Sequence, residues 1–288
     1  MSPTEQNKPK TPLDFFNALA AEYEESTGGC TRELGLKVLD LPQLAGLFSP
    51  DAKVLDNACG TGIIAEEIVR RCAARNIEIP SITSVDPAEK MLDIARAKFA
   101  GKHQEKLSFA MMPGERLDFP DDSFSHSIMN LGILFCSDGD AGAREIYRTL
   151  RPGGVAVITS WSEIGYLDTV IWPAQKAIKP EAPAWRFPAE DRWLRVADVE
   201  ESFKKAGFQS VDVFEEGSHY GAETVEVVSH LLGTKFVGAV EGASEEEKER
   251  FRAEVDKLAR KAAVGYKTAA GVDRVGIPMK GIVAVCTK

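Results

Sequence analysis

At 288 residues the chain is long for one compact domain and short for two large ones, so a single core with insertions is expected. With 44% hydrophobic and 27% charged residues the composition is globular, and a net charge of -9 argues against a phosphate-neutralising nucleic-acid face. No apolar run approaches the roughly 20 residues of a membrane span, and MSPTEQNKPKTP lacks the apolar centre of an export signal.

After that polar tail (1–12), LDFFNALAAEYEE sets Leu13, Phe16, Ala20 and Tyr23 on one helical stripe, and residues 31–48 form a second helical stretch broken near Pro42. KVLDNA (53–58) reads as a strand that runs into a small-residue turn. The helix after it has Ile64, Ile68 and Cys72 on one side, with Glu66–Arg70 and Glu67–Arg71 as i,i+4 pairs on the other. Strand and helix then alternate: strand 81–86, helix 88–99, strand 106–112, turn 113–124, strand 126–131, helix 140–150, strand 155–161. A helix at 196–208 and strands at 209–216 and 281–288 complete the pattern. The alternation predicts an α/β fold, a doubly wound and mostly parallel sheet of seven strands.

Two stretches break the rhythm. Residues 162–195 carry Trp172, Trp185 and Trp193 among Pro173, Pro180, Pro183 and Pro188, and residues 218–278 hold two helical patterns, 223–240 and 244–266. Insertions after strands of such a sheet tend to cover the ligand crevice at the strand C-termini. The expected organisation is therefore a tail (1–12), N-terminal lid helices (13–49), an α/β core (50–161), a substrate-side insertion (162–195), more core (196–217), a helical lid (218–278) and a final strand (279–288).

The turn in VLDNACGTGIIAEE has the spacing Gly60-x-Gly62-x-x-Ala65, which also satisfies the dinucleotide fingerprint. A Cβ at either glycine would intrude on a ligand, and Asp86 at the end of the second strand suits a pair of ribose hydroxyls. Those two features fit NAD and S-adenosylmethionine equally. Three others favour the second. Asp56, at the end of strand one, would repel a pyrophosphate and suit an ammonium and a sulfonium. No tyrosine has a lysine four residues on, so a Tyr-x-x-x-Lys acid pair is missing. The last two strands lack a simple βα crossover, as a reversed final strand requires.

Five motifs in order then carry a resemblance: VLDNACGTG, SVDPAEKML, PGERLDFPDDSF, NLGILFCSD and REIYRTLRPGGVAVITSW. Over residues 50–288 the chain resembles class I S-adenosylmethionine-dependent methyltransferases with a Rossmann-like fold. Through DNACG, RTLRPGG, TSW and IPMKGIVAV it is similar to fungal small-molecule methyltransferases of secondary metabolism, the gliotoxin thiol methyltransferases among them.

The resemblance implies a cofactor site. Asp56 and the backbone of Ala58 and Gly60 would hold the methionine amino group, with Asn57 and Gly62 in the same turn. Asp86 would take the ribose hydroxyls, and Pro87 and Met91 would pack against the adenosine. Gly114, Glu115 and Arg116 would flank adenine, where Pro113 stands in a slot that many relatives fill with Asp. Asn130 and Leu131 would lie under the methionine portion, and Tyr23 would close over it. Phe16, Phe135, Trp161, Trp172 and Trp185 are the expected pocket for a flat or greasy acceptor. The product would be S-adenosylhomocysteine and the partner a small molecule, with no nucleic acid and no membrane; a homodimer through the lid helices is left open.

No catalytic residue can be named, since Cys59 has no paired base and none of the four histidines carries a telling spacing. That absence favours a thiol, an amine or an acidic hydroxyl as acceptor. The five cysteines form no C-x-x-C and no zinc spacing, so reduced thiols in the cytoplasm and no metal are expected. An NAD(P)-dependent oxidoreductase and a non-catalytic S-adenosylmethionine-binding protein are the alternatives.

Overall fold

The computed structural model describes residues 11–186 and 189–288; most of the polar tail, and Pro188 of the first insertion, lie outside the described residues. The chain begins with three short helices, α1 (Pro12–Leu19), α2 (Tyr23–Ser26) and α3 (Cys30–Val38). Thr11 caps α1, which begins at Pro12, one residue before the expected start at Leu13. Its hydroxyl accepts the Asp14 N–H while the Asp14 side chain reaches back, and Pro12 occupies the first helical position.

The core alternates β1 (Lys53–Asn57), α4 (Ile63–Arg75), β2 (Ser81–Asp86), α5 (Glu89–Lys98), β3 (Leu107–Met111), β4 (Phe124–Met129), α6 (Gly139–Thr149) and β5 (Leu150–Glu163). After α7 (Trp172–Ile178) and α8 (Val196–Ala206) come β6 (Ser210–Ala222), α9 (Val225–Lys235), α10 (Glu245–Ala262), β7 (Val264–Lys267) and β8 (Asp273–Thr287). The sheet order is β3-β2-β1-β4-β5-β8-β6, with β7 paired to β8. β1 to β5 pair in parallel, and β8 lies between β5 and β6, antiparallel to both. This is the doubly wound, mostly parallel architecture that the alternation implies, with the last strand reversed.

The sheet has an eighth, short strand. Residues 264–266, read as the end of a helix, pair with β8 instead, because Val264 and Tyr266 are favoured on a pleated surface. β6 and β8 also run past the sheet proper. Gly217 to Ala222 pairs with Val275 to Lys280, so the two strands form a long arm. β1 and β4 are almost wholly buried, as strands covered by helices on both faces must be.

One charge pairing differs from the helical pattern. Glu67 is buried and takes both Arg70 and Arg71, while Glu66 turns to Arg32 on α3 and Lys98 on α5. Glu66 lies where α3 and α5 flank α4, so cations from other elements reach it before Arg70 does. Among the described residues, no helix is long and apolar enough to cross a membrane, and no group of three His, Cys, Asp or Glu side chains is placed to hold a metal.

Candidate active site

A cavity of about 700 Å³ opens at the C-terminal ends of β1, β2 and β4. Tyr23, Ala58, Gly60, Asp86, Pro87, Met91, Gly114, Glu115, Asn130 and Leu131 line it, which gathers ten of the fourteen expected cofactor residues in one place. Gly60 has φ +53°, and a Cβ there would meet no protein atom, so the space in front of it is open to a ligand. The Asp86 carboxylate accepts the Gly60 N–H at 2.8 Å and the Ala88 N–H at 2.8 Å. Burial pushes its acidity down, raising the pKa, against those two N–H donors.

Four expected residues do not line the cavity. Asp56 is only 1% exposed, and its carboxyl takes the Ala65 N–H and the Ser84 hydroxyl. Gly62, the residue that opens α4, has no side chain to cap the helix. Asp56 supplies the missing acceptor from the strand below, in the first turn where a helix leaves N–H groups free. Burial, opposed by these bonds, pushes its pKa up to about 7. Asp56, expected to face the methionine ammonium, is thus placed behind the turn rather than on the cavity wall.

Gly62 itself faces α5 rather than the cavity: a Cβ there would stand 3.1 Å from the Ala95 Cβ. Arg116 is exposed, its N–H closes a turn on the Pro113 carbonyl, and it is not among the residues that line the cavity. Asn57 is fully buried behind Gly114, and neither atom of its amide has a hydrogen-bond partner. A Cβ on Gly114 would lie 2.7 Å from Asn57 Oδ1 and 2.6 Å from Met129 Cε, so only glycine fits between this wall and the cavity.

Several other walls carry no signal in the sequence. Thr11, Pro12 and Leu13 bring the start of α1 over the opening, and Cys136, Ser137 and Glu190 close its far side. Ser137 donates its N–H and hydroxyl to Glu115 Oε1, joining the loop after β4 to the loop after β3. The capping box at Thr11 was the one readable signal for this part of the wall.

A second, smaller cavity of about 140 Å³ adjoins the first, and Phe16, Tyr23, Leu131, Leu134 and Phe135 line both. Trp161, Tyr166, Trp185, Phe236 and Met279 add to its apolar lining. Phe16, Phe135, Trp161 and Trp185 of the expected acceptor pocket thus converge here. Trp172 does not: its indole N–H donates to the Trp185 carbonyl at 2.7 Å, so it supports the pocket wall from behind. Trp193 is core, fully buried against Gly139.

Among the described residues lining the inner cavity none is Asp, Glu or His. Its phenols and its thiol keep their protons at physiological pH. Burial pushes Tyr23 and Cys30 each up to about 12, and raises Tyr166 as well. Lys235 at the rim is ion-paired with Glu22.

The N-terminal helices close over both cavities and are held by charge. Arg32 bridges Glu24 and Glu66, Lys98 reaches the same two carboxylates, and Glu22 pairs with Lys235 of α9. Asn17 Oδ1 accepts the Lys90 N–H at the start of α5.

This mostly parallel sheet with its last strand reversed, and with a cavity at the ends of β1 and β2, is a Rossmann-like architecture, and comparison with known proteins names the family. A profile described as a methyltransferase domain matches residues 54–154. A ubiquinone/menaquinone biosynthesis C-methyltransferase (UbiE) from Pectobacterium carotovorum is 30% identical over 177 residues, 56% of this chain and 68% of that protein. The methyltransferase tpcH of Aspergillus fumigatus is 26% identical over 168 residues, 56% of this chain and 58% of that protein. The crystal structure of the 4+2 cyclase SpnF superposes with a TM-score of 0.57 at 17% identity, covering 96% of this chain and 97% of that one. The chain belongs to the class I S-adenosylmethionine-dependent methyltransferases. It spans about half the length of the curated relatives it matches first.

Proposed function

We propose that this chain transfers a methyl group from S-adenosylmethionine to a sulfur, nitrogen or acidic oxygen of a small apolar metabolite, in secondary metabolism. The observation that carries the reading is the pair of adjoining cavities, a larger one at the glycine turn and a smaller, aromatic one sharing Tyr23 and Leu131 with it. The residues suit the cofactor: open space before Gly60, a carboxylate at Asp86, and a wall at Gly114 that has room only for glycine.

In this reading Asp86 accepts the two ribose hydroxyls, and Pro87 and Met91 pack on the adenosine. Gly114 and Glu115 flank adenine, Ala58 and Gly60 hold the methionine end, and Asn130 and Leu131 form its floor under Tyr23. The cofactor supplies a sulfonium-bound methyl group. The chain contributes alignment and a dry site, which together account for much of the barrier lowering in a displacement of this kind.

The acceptor sits in the inner cavity against Phe16, Phe135, Trp161 and Trp185. With no carboxylate or imidazole among the described lining residues, the acceptor loses its proton without help from the wall, which suits a thiol, an amine or an acidic hydroxyl. The helices of 13–49, with the insertions 162–195 and 218–278, act as the lid on the 50–161 and 196–217 core.

Methylated product from labelled S-adenosylmethionine and a panel of small thiols, amines and phenols tests this. A product confined to carbon acceptors, the chemistry named for the UbiE relative, overturns the choice of atom. A second reading, cofactor binding without methyl transfer, is favoured by the SpnF likeness, since that protein is named as a cyclase on the same fold. It predicts binding and no methylated product from any member of the panel.

A further inference from the structure

Thr159 lies on β5, fully buried, behind the floor that the two cavities share. Its hydroxyl is used twice. It accepts the Leu131 N–H at 2.8 Å and donates to Asn130 Oδ1 at 2.8 Å. Asn130 then donates through Nδ2 to the Thr31 carbonyl on α3 at 3.1 Å. The Thr31 and Tyr23 side chains are hydrogen-bonded in turn. A single core hydroxyl therefore connects the cavity floor to the helices that cover it.

Leu131 has φ +58°, the left-handed region that crowding between Cβ and carbonyl disfavours for every residue but glycine. Strain of this kind persists only where the surroundings hold it, and it gathers at ligand sites. Here the holding group is Thr159.

We propose that Thr159 is a positioning residue of the cofactor site, one that keeps Leu131 and Asn130 in the binding arrangement and couples them through Thr31 to the lid. The inference rests on the methyltransferase reading above. Without the Thr159 oxygen, the Leu131 N–H has no partner and the turn relaxes out of the left-handed region. The cofactor must then select the competent arrangement from a mixed population, and its apparent affinity falls by the competent fraction. Valine keeps the volume of threonine but offers no donor and no acceptor, whereas serine keeps both.

The test is calorimetric titration of S-adenosylhomocysteine into the full chain and its variants, well below their melting temperatures. Thr159→Val is expected to weaken binding about tenfold and Thr159→Ser to stay within about threefold of wild type, the scale of one unmet buried hydrogen bond. Tyr23→Phe should cost less in the Thr159→Val background than in wild type, because the two residues act through one chain of bonds.

A Thr159→Val protein that melts earlier but binds with wild-type affinity overturns the proposal, since it assigns Thr159 a structural role alone. Should that variant fail to fold, Asn130→Asp keeps the acceptor for Thr159 while setting an oxygen against the Thr31 carbonyl. Weaker binding then supports the link to α3, and unchanged binding overturns it. A wild-type chain that does not bind S-adenosylhomocysteine overturns the underlying reading itself, and this proposal with it.

Discussion

The Asp86 carboxylate accepts the Gly60 N–H at 2.8 Å and so ties the end of β2 to the glycine turn after β1. Its other oxygen accepts the Ala88 N–H, and each oxygen keeps a second lone pair for the cavity it lines. Asp86→Asn leaves one acceptor where two are needed. Its affinity for S-adenosylhomocysteine is expected to fall roughly 10- to 100-fold, since hydrogen bonds to a charged group are worth about 1.5–3 kcal/mol each. Unchanged affinity by calorimetry would remove Asp86 from the site.

Asp56 gives a pH signature. Its pKa in the folded chain is about 7, above the ordinary carboxyl value of 3.8, so the folded state holds a proton that the unfolded state has released between those values. Stability from this group is present below pH ~4, is lost as pH rises towards 7, and changes no further above it. Asp56→Asn keeps an acceptor for the Ala65 N–H without the titration. The melting temperature of the variant minus that of wild type should therefore climb from pH 4 to 7 and then level off. A difference that is flat across that window contradicts the buried, partly protonated Asp56.

At Gly132 a Cβ would stand 2.5 Å from the Ala58 Cβ and 2.9 Å from Met129 Cγ. Those atoms sit close to the backbone at the ends of β1 and β4 and have little room to yield. Gly132→Ala should cost about 1–3 kcal/mol of stability by overpacking and open the cavity floor, so cofactor affinity falls with it. Chemical denaturation and calorimetry on one preparation measure both, and a variant with wild-type values for both contradicts the packing described.

The ion pairs that hold the N-terminal helices are partly exposed, so they are worth little to overall stability, less than about 1 kcal/mol. Their expected effect is kinetic. Arg32→Met leaves Glu24 and Glu66 to share Lys98, and stopped-flow release of S-adenosylhomocysteine should be faster. Raising the ionic strength should speed release in wild type more than in the variant. Equal release rates at low salt would show that the N-terminal helices do not limit exit.

Sequence and structure agree where the chemistry is carried by a residue's place along the chain. Asp86 closes a strand and Gly60 opens a turn, and strand ends collect at one edge of a doubly wound sheet whatever the details of packing. They part where the direction of a side chain decides. Asp56 is one residue from Asn57 on the same strand, and a strand turns successive side chains to opposite faces. A carboxylate at that strand end suggested an ammonium ligand; only the fold reveals that it faces the start of α4.

Thr159 sits in VITSW, a plain strand pattern, and nothing local marks its hydroxyl as the partner of a residue 28 positions earlier. Likewise, Trp161 and Trp185 could be expected near an acceptor from composition. That Trp172 stands behind them depends on the packing of α7.

S-adenosylhomocysteine is expected to occupy the larger cavity. Parallel calorimetric titrations of the purified chain with S-adenosylhomocysteine and with NADH test it most directly. One equivalent of S-adenosylhomocysteine bound, binding lost in Asp86→Ala, and no heat from NADH is the result expected. Saturable binding of NADH with none of S-adenosylhomocysteine would show that the glycine turn serves a dinucleotide instead.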